Sequence, residues 1–261
     1  MDLGLKNKVA LVLASSNGLG RAIAVSLGRE GALVAVTGRN AAEIEKTVGE
    51  ITAVGGKAHG MVWDLYDLSL IESKIAEVEK TLGPVDILVN NTGGPPPTTA
   101  ANQPAELWQE SFNNLVLSII KITDRVLPGM KARQWGRVIT STSSGMIAPI
   151  PNLAISNALR ASLMGWSKTL AAEVARDGIT VNIILPGRIA TNRLKQLDEA
   201  RAKREGRTYE EVSKSTEQTI PMKRYGTPTE YGDAAAFLAS TQAAYITGTQ
   251  LRVDGGANAG H

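Results

Sequence analysis

Three groupings of residues in this 261-residue sequence could do chemistry. The first is the glycine pair Gly18 and Gly20 in "LASSNGLGRAIA", set between an apolar run and an amphipathic stretch. Glycines at such a junction let a ligand approach the backbone, and a helix beginning there aims its unpaired N–H groups at a phosphate pair. The second is the hydroxyl cluster Ser141, Thr142, Ser143 and Ser144 at the end of another apolar run. Those hydroxyls either close a strand with side-chain-to-backbone bonds or, at Ser143, orient a substrate oxygen. The third is Ser156 with Arg160 in "LAISNALRASL", four residues apart and so on one face of a helix. A guanidinium stabilises a developing oxyanion, but its charge is permanent and it donates no proton at neutral pH. Asn114 interrupts the apolar run "SFNNLVLSII". A polar side chain there either satisfies backbone groups at a helix distortion or takes part in chemistry.

The elements that must position these groups are β-rich runs alternating with longer amphipathic stretches. The runs are "VALVLA" (9 to 14), "LVAVTG" (33 to 38), "AHGMVW" (58 to 63), "VDILVN" (85 to 90), "RVITST" (137 to 142), "TVNIIL" (180 to 185) and "QLRV" (250 to 253). That alternation predicts a single α/β domain: a doubly wound, seven-stranded parallel sheet of Rossmann type with helices on both faces. The runs are nearly all apolar, as strands covered on both sides should be. "NTGGPPP" and "LPGR" follow strands, and therefore lie at carboxyl ends where open α/β sheets bind ligands. Residues 192 to 223 hold no strand and are strongly polar, which reads as a surface helical insertion or a lid over the substrate.

Composition removes several classes of function. Twenty-eight Lys+Arg against 25 Asp+Glu leave a net charge of +3, too balanced for a nucleic-acid binder. With no cysteine and only His59 and His261, neither thiol chemistry nor a metal site is expected. No apolar run approaches the length of a membrane span, and the start lacks the features of a signal peptide, so a cytoplasmic protein is expected.

The landmarks together carry a family resemblance over essentially the whole chain. They are the Gly18, Gly20 turn, Asp64, "NNTG" at 90 to 93, Asn114, "ITSTSS", "PGRIAT" at 186 to 191 and the closing "YITGTQLRVDGG". The sequence resembles short-chain dehydrogenases/reductases, and among them the 3-oxoacyl carrier-protein reductases of fatty acid biosynthesis. The resemblance implies reduction of a carbonyl with a nicotinamide dinucleotide. It implies cofactor contacts in the first turn at Ala14, Ser16, Asn17, Gly18, Leu19 and Gly20. Further contacts are implied at Arg39, Asp64, Leu65, Asn91 and Gly93, at Arg160, and at Pro186, Gly187, Ile189 and Thr191. Around the reacting atoms it implies Ser143, Asn114, and a tyrosine and a lysine at positions held here by Ser156 and Arg160. Ser156 is a poor stand-in. An aliphatic hydroxyl is far less acidic than a phenol, and it stands about 2.5 Å from its Cα where a phenol oxygen stands about 6 Å, a deficit larger than a hydrogen bond. Water is then expected to deliver the proton. The tyrosines at 66, 209, 225, 231 and 245 are expected to lie elsewhere, with Tyr209 placed to fold over from the insertion.

Two more departures fall in the first turn, where the family writes Thr-Gly and this chain has Leu13 and Ala14. Leu13 loses a hydroxyl for the "NNTG" loop, and the Ala14 methyl is tolerable if that position keeps φ below zero. For cofactor choice, Thr37 and Arg39 stand where an acid would hold an unphosphorylated ribose, which favours NADP(H) over NAD(H). Asp64 reads equally as an adenine contact or a helix N-cap, and Asn90, Asn91 and Gly93 equally as cofactor contacts or ties between strands. The partner is expected to be a small-molecule carbonyl or an acyl thioester. Arg133 and Arg176 resemble positions offered to an acyl carrier protein, though they read first as solvated helix-end charges. Surplus apolar residues on one helix, Leu163, Trp166, Leu170 and Val174, suggest a homo-oligomer, a tetramer or dimer. The same residues leave open a non-catalytic NADP(H)-binding sensor or scaffold.

Overall fold

A computed structural model describes residues 1–258, so His261 lies outside the described residues. Seven parallel strands run in the order β3-β2-β1-β4-β5-β6-β7. They are β1 Val9–Val12, β2 Leu33–Gly38, β3 Lys57–Val62, β4 Ile87–Asn90, β5 Gly136–Ser141, β6 Ile179–Pro186 and β7 Gln250–Val253. The order reverses between β1 and β4, and the crevice opens at the carboxyl ends there. Leu11 of β1 is in register with Ala35 on one side and Leu88 on the other.

The alternation of side chains along β1 explains why the sheet needs cover on both faces. Val9 and Leu11 pack into one core with α3 (Ile71–Thr81), α5 (Ser118–Ala132) and α6 (Ala154–Val174). Ala10 and Val12 pack into the other with α1 (Gly18–Arg29), α2 (Ala41–Ala53) and α9 (Pro228–Ala239). A shorter α4 (Ala105–Phe112) leads into a π-helical turn, Asn113–Leu117, before α5 begins. That turn is the distortion read at Asn114, in the place where one extra residue per turn shifts the backbone bonding.

The polar segment from 192 to 223 is two helices, α7 (Asn192–Glu205) and α8 (Tyr209–Thr219). Gly206 ends the first in the left-handed region at φ 63°, and Thr208 starts the second with a capping box closed by Glu211. The α7 helix is held down by Asp198, which is 1% exposed and accepts from the Tyr225 hydroxyl at 2.8 Å and from Arg188 at 3.3 Å. Among the described residues no helix is long and apolar enough to cross a membrane.

The apolar surplus on α6 is taken up inside the chain. Leu163 packs with Leu115, Val116 and Ile119, while Leu170 and Val174 belong to the core beneath the sheet, and Trp166 touches both clusters. The helix is covered on two sides, with Leu163, Leu170 and Val174 buried inside the chain and Trp166 partly exposed.

Candidate active site

The turn after β1 is made by backbone and small side chains. Ser15 Oγ donates to the Val12 carbonyl at 2.7 Å and accepts from the Thr37 N–H, while Thr37 Oγ1 accepts from the Ala14 N–H. Thr37 is thus a buried tie between β1 and β2, and Arg39 alone, exposed, remains to meet a nucleotide at the end of β2. Asn91 donates to the carbonyls of both Leu13 and Ala14 at 3.2 Å, supplying the cross-strand tie that Leu13 cannot. Gly20 has no room for a side chain: a Cβ there would lie 2.5 Å from the Ala14 carbonyl oxygen. Ala14 itself has φ +45°, so the condition under which its methyl was tolerable is not met. The left-handed conformation costs an alanine about 1 kcal/mol, and the bonds from Asn91 and Thr37 hold it there.

The start of α1 is open. Asn17 precedes the helix with extended backbone and an exposed side chain that makes no capping bond, and no acidic residue lies in the first turn. The first N–H groups therefore lack a side-chain partner, and a Cβ on Gly18 would meet nothing within 4 Å. Leu19 packs on the core behind. This is a seat for an anion, and the residues present fit a dinucleotide pyrophosphate.

Several other expected contacts have side chains committed elsewhere. Ser16 is buried with its hydroxyl against Gly38, and Leu65 and Ile189 are core residues. Asp64 does not cap a helix. Its carboxylate accepts from the Tyr66 N–H, and the cap of the following turn is Asp67, which accepts from Ser69. Thr191 caps α7 by accepting from the Leu194 N–H. At the end of β6 beyond Pro186, Gly187 is required because a Cβ would meet the Asp254 backbone at 2.5 Å.

The reaction end is built where β5 meets α6. Ser143 caps a short turn, its Oγ accepting from the Gly145 N–H at 3.1 Å, which leaves its own proton free to donate. Ser141 is turned away, its hydroxyl 2.9 Å from that of Tyr231. The amino end of α6 is held by Thr98: its carbonyl accepts from the Ala154 N–H and its hydroxyl from the Ile155 N–H. That fixes Ser156, which is 8% exposed and makes no side-chain hydrogen bond among the described residues. The Asn114 side chain also makes none, while its carbonyl accepts from Ser118 Oγ within the π-helical turn.

Arg160, one turn beyond Ser156, is 6% exposed. Its Nη2 donates to the Gly93 carbonyl at 2.8 Å and makes longer contacts, 3.5 Å, with the Thr92 carbonyl and hydroxyl. Burial pulls its pKa down from the usual arginine value, partly opposed by the Tyr231 and Tyr66 phenols. Those phenols correct the expectation that every tyrosine lies elsewhere. Tyr231, on α9, donates to the Ile184 carbonyl and is buried, which pushes its pKa well up. The Tyr66 hydroxyl would lie 3.3 Å from a Cβ on Gly93, and the Arg39 guanidinium stands 5.6 Å from its ring centroid. Tyr209 begins α8 and faces Lys195. Thr92, Thr98, Tyr66 and Tyr231 were not singled out from sequence. Thr92 lies within "NTGGPPP" and Thr98 directly follows it, but Tyr231 meets Ser141 across 90 residues, with nothing local to mark it.

Comparison with known proteins places this geometry. A family model described as enoyl-(acyl carrier protein) reductase matches residues 13–258. The chain is 35% identical over 259 residues to the 3-oxoacyl-[acyl-carrier-protein] reductase FabG of Escherichia coli, covering 97% of this chain and 98% of that protein. It is 33% identical over 255 residues to nodulation protein G of Azospirillum brasilense, covering 97% and 99%. The structure of L-sorbose reductase from Gluconobacter frateurii, complexed with NADPH and L-sorbose, superimposes with a TM-score of 0.94 at 31% identity, covering 100% of both chains. With strand order, open first turn and whole-length similarity in agreement, the chain belongs to the short-chain dehydrogenase/reductase family.

Proposed function

We propose that the protein is an NADP(H)-dependent oxidoreductase that reduces a carbonyl group, or oxidises the matching alcohol, with an altered proton-donor site. The observation that carries this reading is the uncapped first turn of α1 together with the exposed Arg39 after β2, a paired provision for a pyrophosphate and a 2′-phosphate. The sorbose reductase described above was solved with NADPH, and FabG is named for reduction of a 3-oxoacyl group, which supports both cofactor and reaction class.

When bound, the reduced dinucleotide supplies the hydride. The chain's own residues orient and complete the reaction. Ser143 donates its free proton to the substrate oxygen, and Arg160 supplies a positive charge at the reaction end of the cleft. Ser156 and Asn114, whose side chains have no partners among the described residues, hold the water that gives the oxygen its proton. The experiment is a fluorescence titration with NADPH and NADH, followed by loss of nicotinamide absorbance across ketones, aldehydes and 3-oxoacyl thioesters. Tighter NADPH binding with turnover is expected. NADPH binding without turnover on any of these would replace the enzyme reading by that of a nucleotide sensor or scaffold.

A further inference from the structure

Two arginines are buried among the described residues, and they are provided for differently. Arg137, 2% exposed, donates through Nε to the Ser240 carbonyl and through Nη1 to the carbonyls of Gly136 and Gly178, and its guanidinium lies 4.4 Å from the Trp135 ring centroid. Carbonyls from three segments and an aromatic face surround that charge, and it has a structural role. Arg160 uses one nitrogen. Its bonds all run from Nη2 to Thr92 and Gly93, and among the described residues Nε and Nη1 have no partner. Neither nitrogen is fully sealed in, so both donors keep some accessible surface.

No carboxylate pairs with Arg160 among the described residues, and the groups that act on its charge are the two phenols. Tyr231 stays protonated at neutral pH because burial raises its pKa, so it supplies no negative charge. A buried cation with no anion is costly, and the deficit is removed when a ligand brings one. The Nε and Nη1 N–H groups lie on different edges of the planar guanidinium, so each offers a carboxylate oxygen one charge-assisted hydrogen bond.

Resting on the reading that carbonyl reduction takes place between Ser143 and Ser156, we propose that the substrate is an oxo acid whose carboxylate pairs with Arg160. The charge fixes the substrate by its acid end, which leaves the neutral hydroxyls of Ser143 and Ser156 to face the carbonyl. The reaction balances as for any ketone: hydride from the dinucleotide adds to the carbonyl carbon, and a proton from water adds to its oxygen. The site therefore selects free acids over their neutral esters and thioesters.

The test compares acetoacetate and 2-oxobutanoate with their methyl esters, using NADPH. Wild-type kcat/KM is expected to favour each acid over its ester by about 30-fold or more, the scale of a charge-assisted hydrogen bond. Arg160→Met is expected to bring that ratio near one, and Arg160→Lys to restore part of it. A wild-type ratio near one, or a ratio that Arg160→Met does not move, overturns the proposal. So does a loss of NADPH affinity in Arg160→Met as large as the loss of acid preference, since the cation would then serve the nucleotide. Saturation-transfer NMR of acetoacetate and methyl acetoacetate on the protein without nucleotide reads the same preference separately from turnover. If NADPH fails to bind while acetoacetate binds in an Arg160-dependent way, the reductase reading falls and the anion site stands. If NADPH turns over ketones with no acid preference, the reverse holds.

Discussion

The two ends of the cleft are made of different material. At the nucleotide end, apart from the Arg39 side chain, the groups that would touch a ligand are backbone N–H groups in the first turn of α1, and the side chains of Ser15, Thr37 and Asn91 only hold that backbone in place. At the reaction end the groups are side chains: Ser143, Ser156 and Arg160. A backbone donor survives almost any substitution that preserves the fold, so the turn keeps its shape with Leu13 and a left-handed Ala14. A side-chain donor changes its chemistry with each replacement. The cleft can therefore keep its cofactor while its reaction drifts.

That contrast gives predictions of decreasing size. Gly20→Val forces a side chain into the Ala14 carbonyl and the Asn91 amide, so it should abolish dinucleotide binding and cost about 3 kcal/mol of stability. Wild-type NADPH affinity in this variant would show that the turn is not the seat. At the other end, Ser156→Tyr with Arg160→Lys should raise ketone-reductase kcat/KM by about 100-fold, the usual scale of general-acid catalysis. No gain in a folded, cofactor-bound double variant would mean that the pocket around Ser156 has itself been reshaped. Tyr231→Phe removes the bonds to Ser141 and Ile184 and should lower stability by about 1 kcal/mol in urea melts at pH 7. It should also flatten the alkaline limb. Because folding raises the Tyr231 pKa above the usual 10.0, the stability it contributes is whole below pH 10 and is lost as pH rises beyond it. The smallest effect is expected for Ala14→Gly, a gain of under about 1 kcal/mol in thermal melts as the left-handed strain is relieved against added chain entropy. A loss instead would show that the methyl's packing outweighs its backbone strain.

The sheet was legible because a doubly covered strand must be apolar along its length, and the seven runs stand within two residues of the strands observed. The Asn114 distortion was legible because a polar residue in an otherwise apolar helical run marks a place where regular backbone bonding is interrupted. The sign of φ at Ala14 was not, since it follows from contacts with Thr37 and Asn91, 23 and 77 residues away. The division of the 192 to 223 segment at Gly206 was written locally, in a glycine followed by Thr208 and Glu211, and needed only the capping pattern to be read. The apolar residues of α6 were harder to assign, because a helix flanked by both a sheet and a neighbouring helix looks, in one dimension, like a helix waiting for a partner chain.

Thr98 carries one more consequence. Helix ends ordinarily fray, and their amides exchange with solvent quickly. Here the amides of Ala154 and Ile155 are held by a residue from a distant loop. The floor beneath Ser156 is consequently stiff before any ligand arrives, and a substrate settling on it forfeits little of its binding energy to ordering the protein. Deuterium uptake at those two amides should lag behind that at other helix starts in the chain.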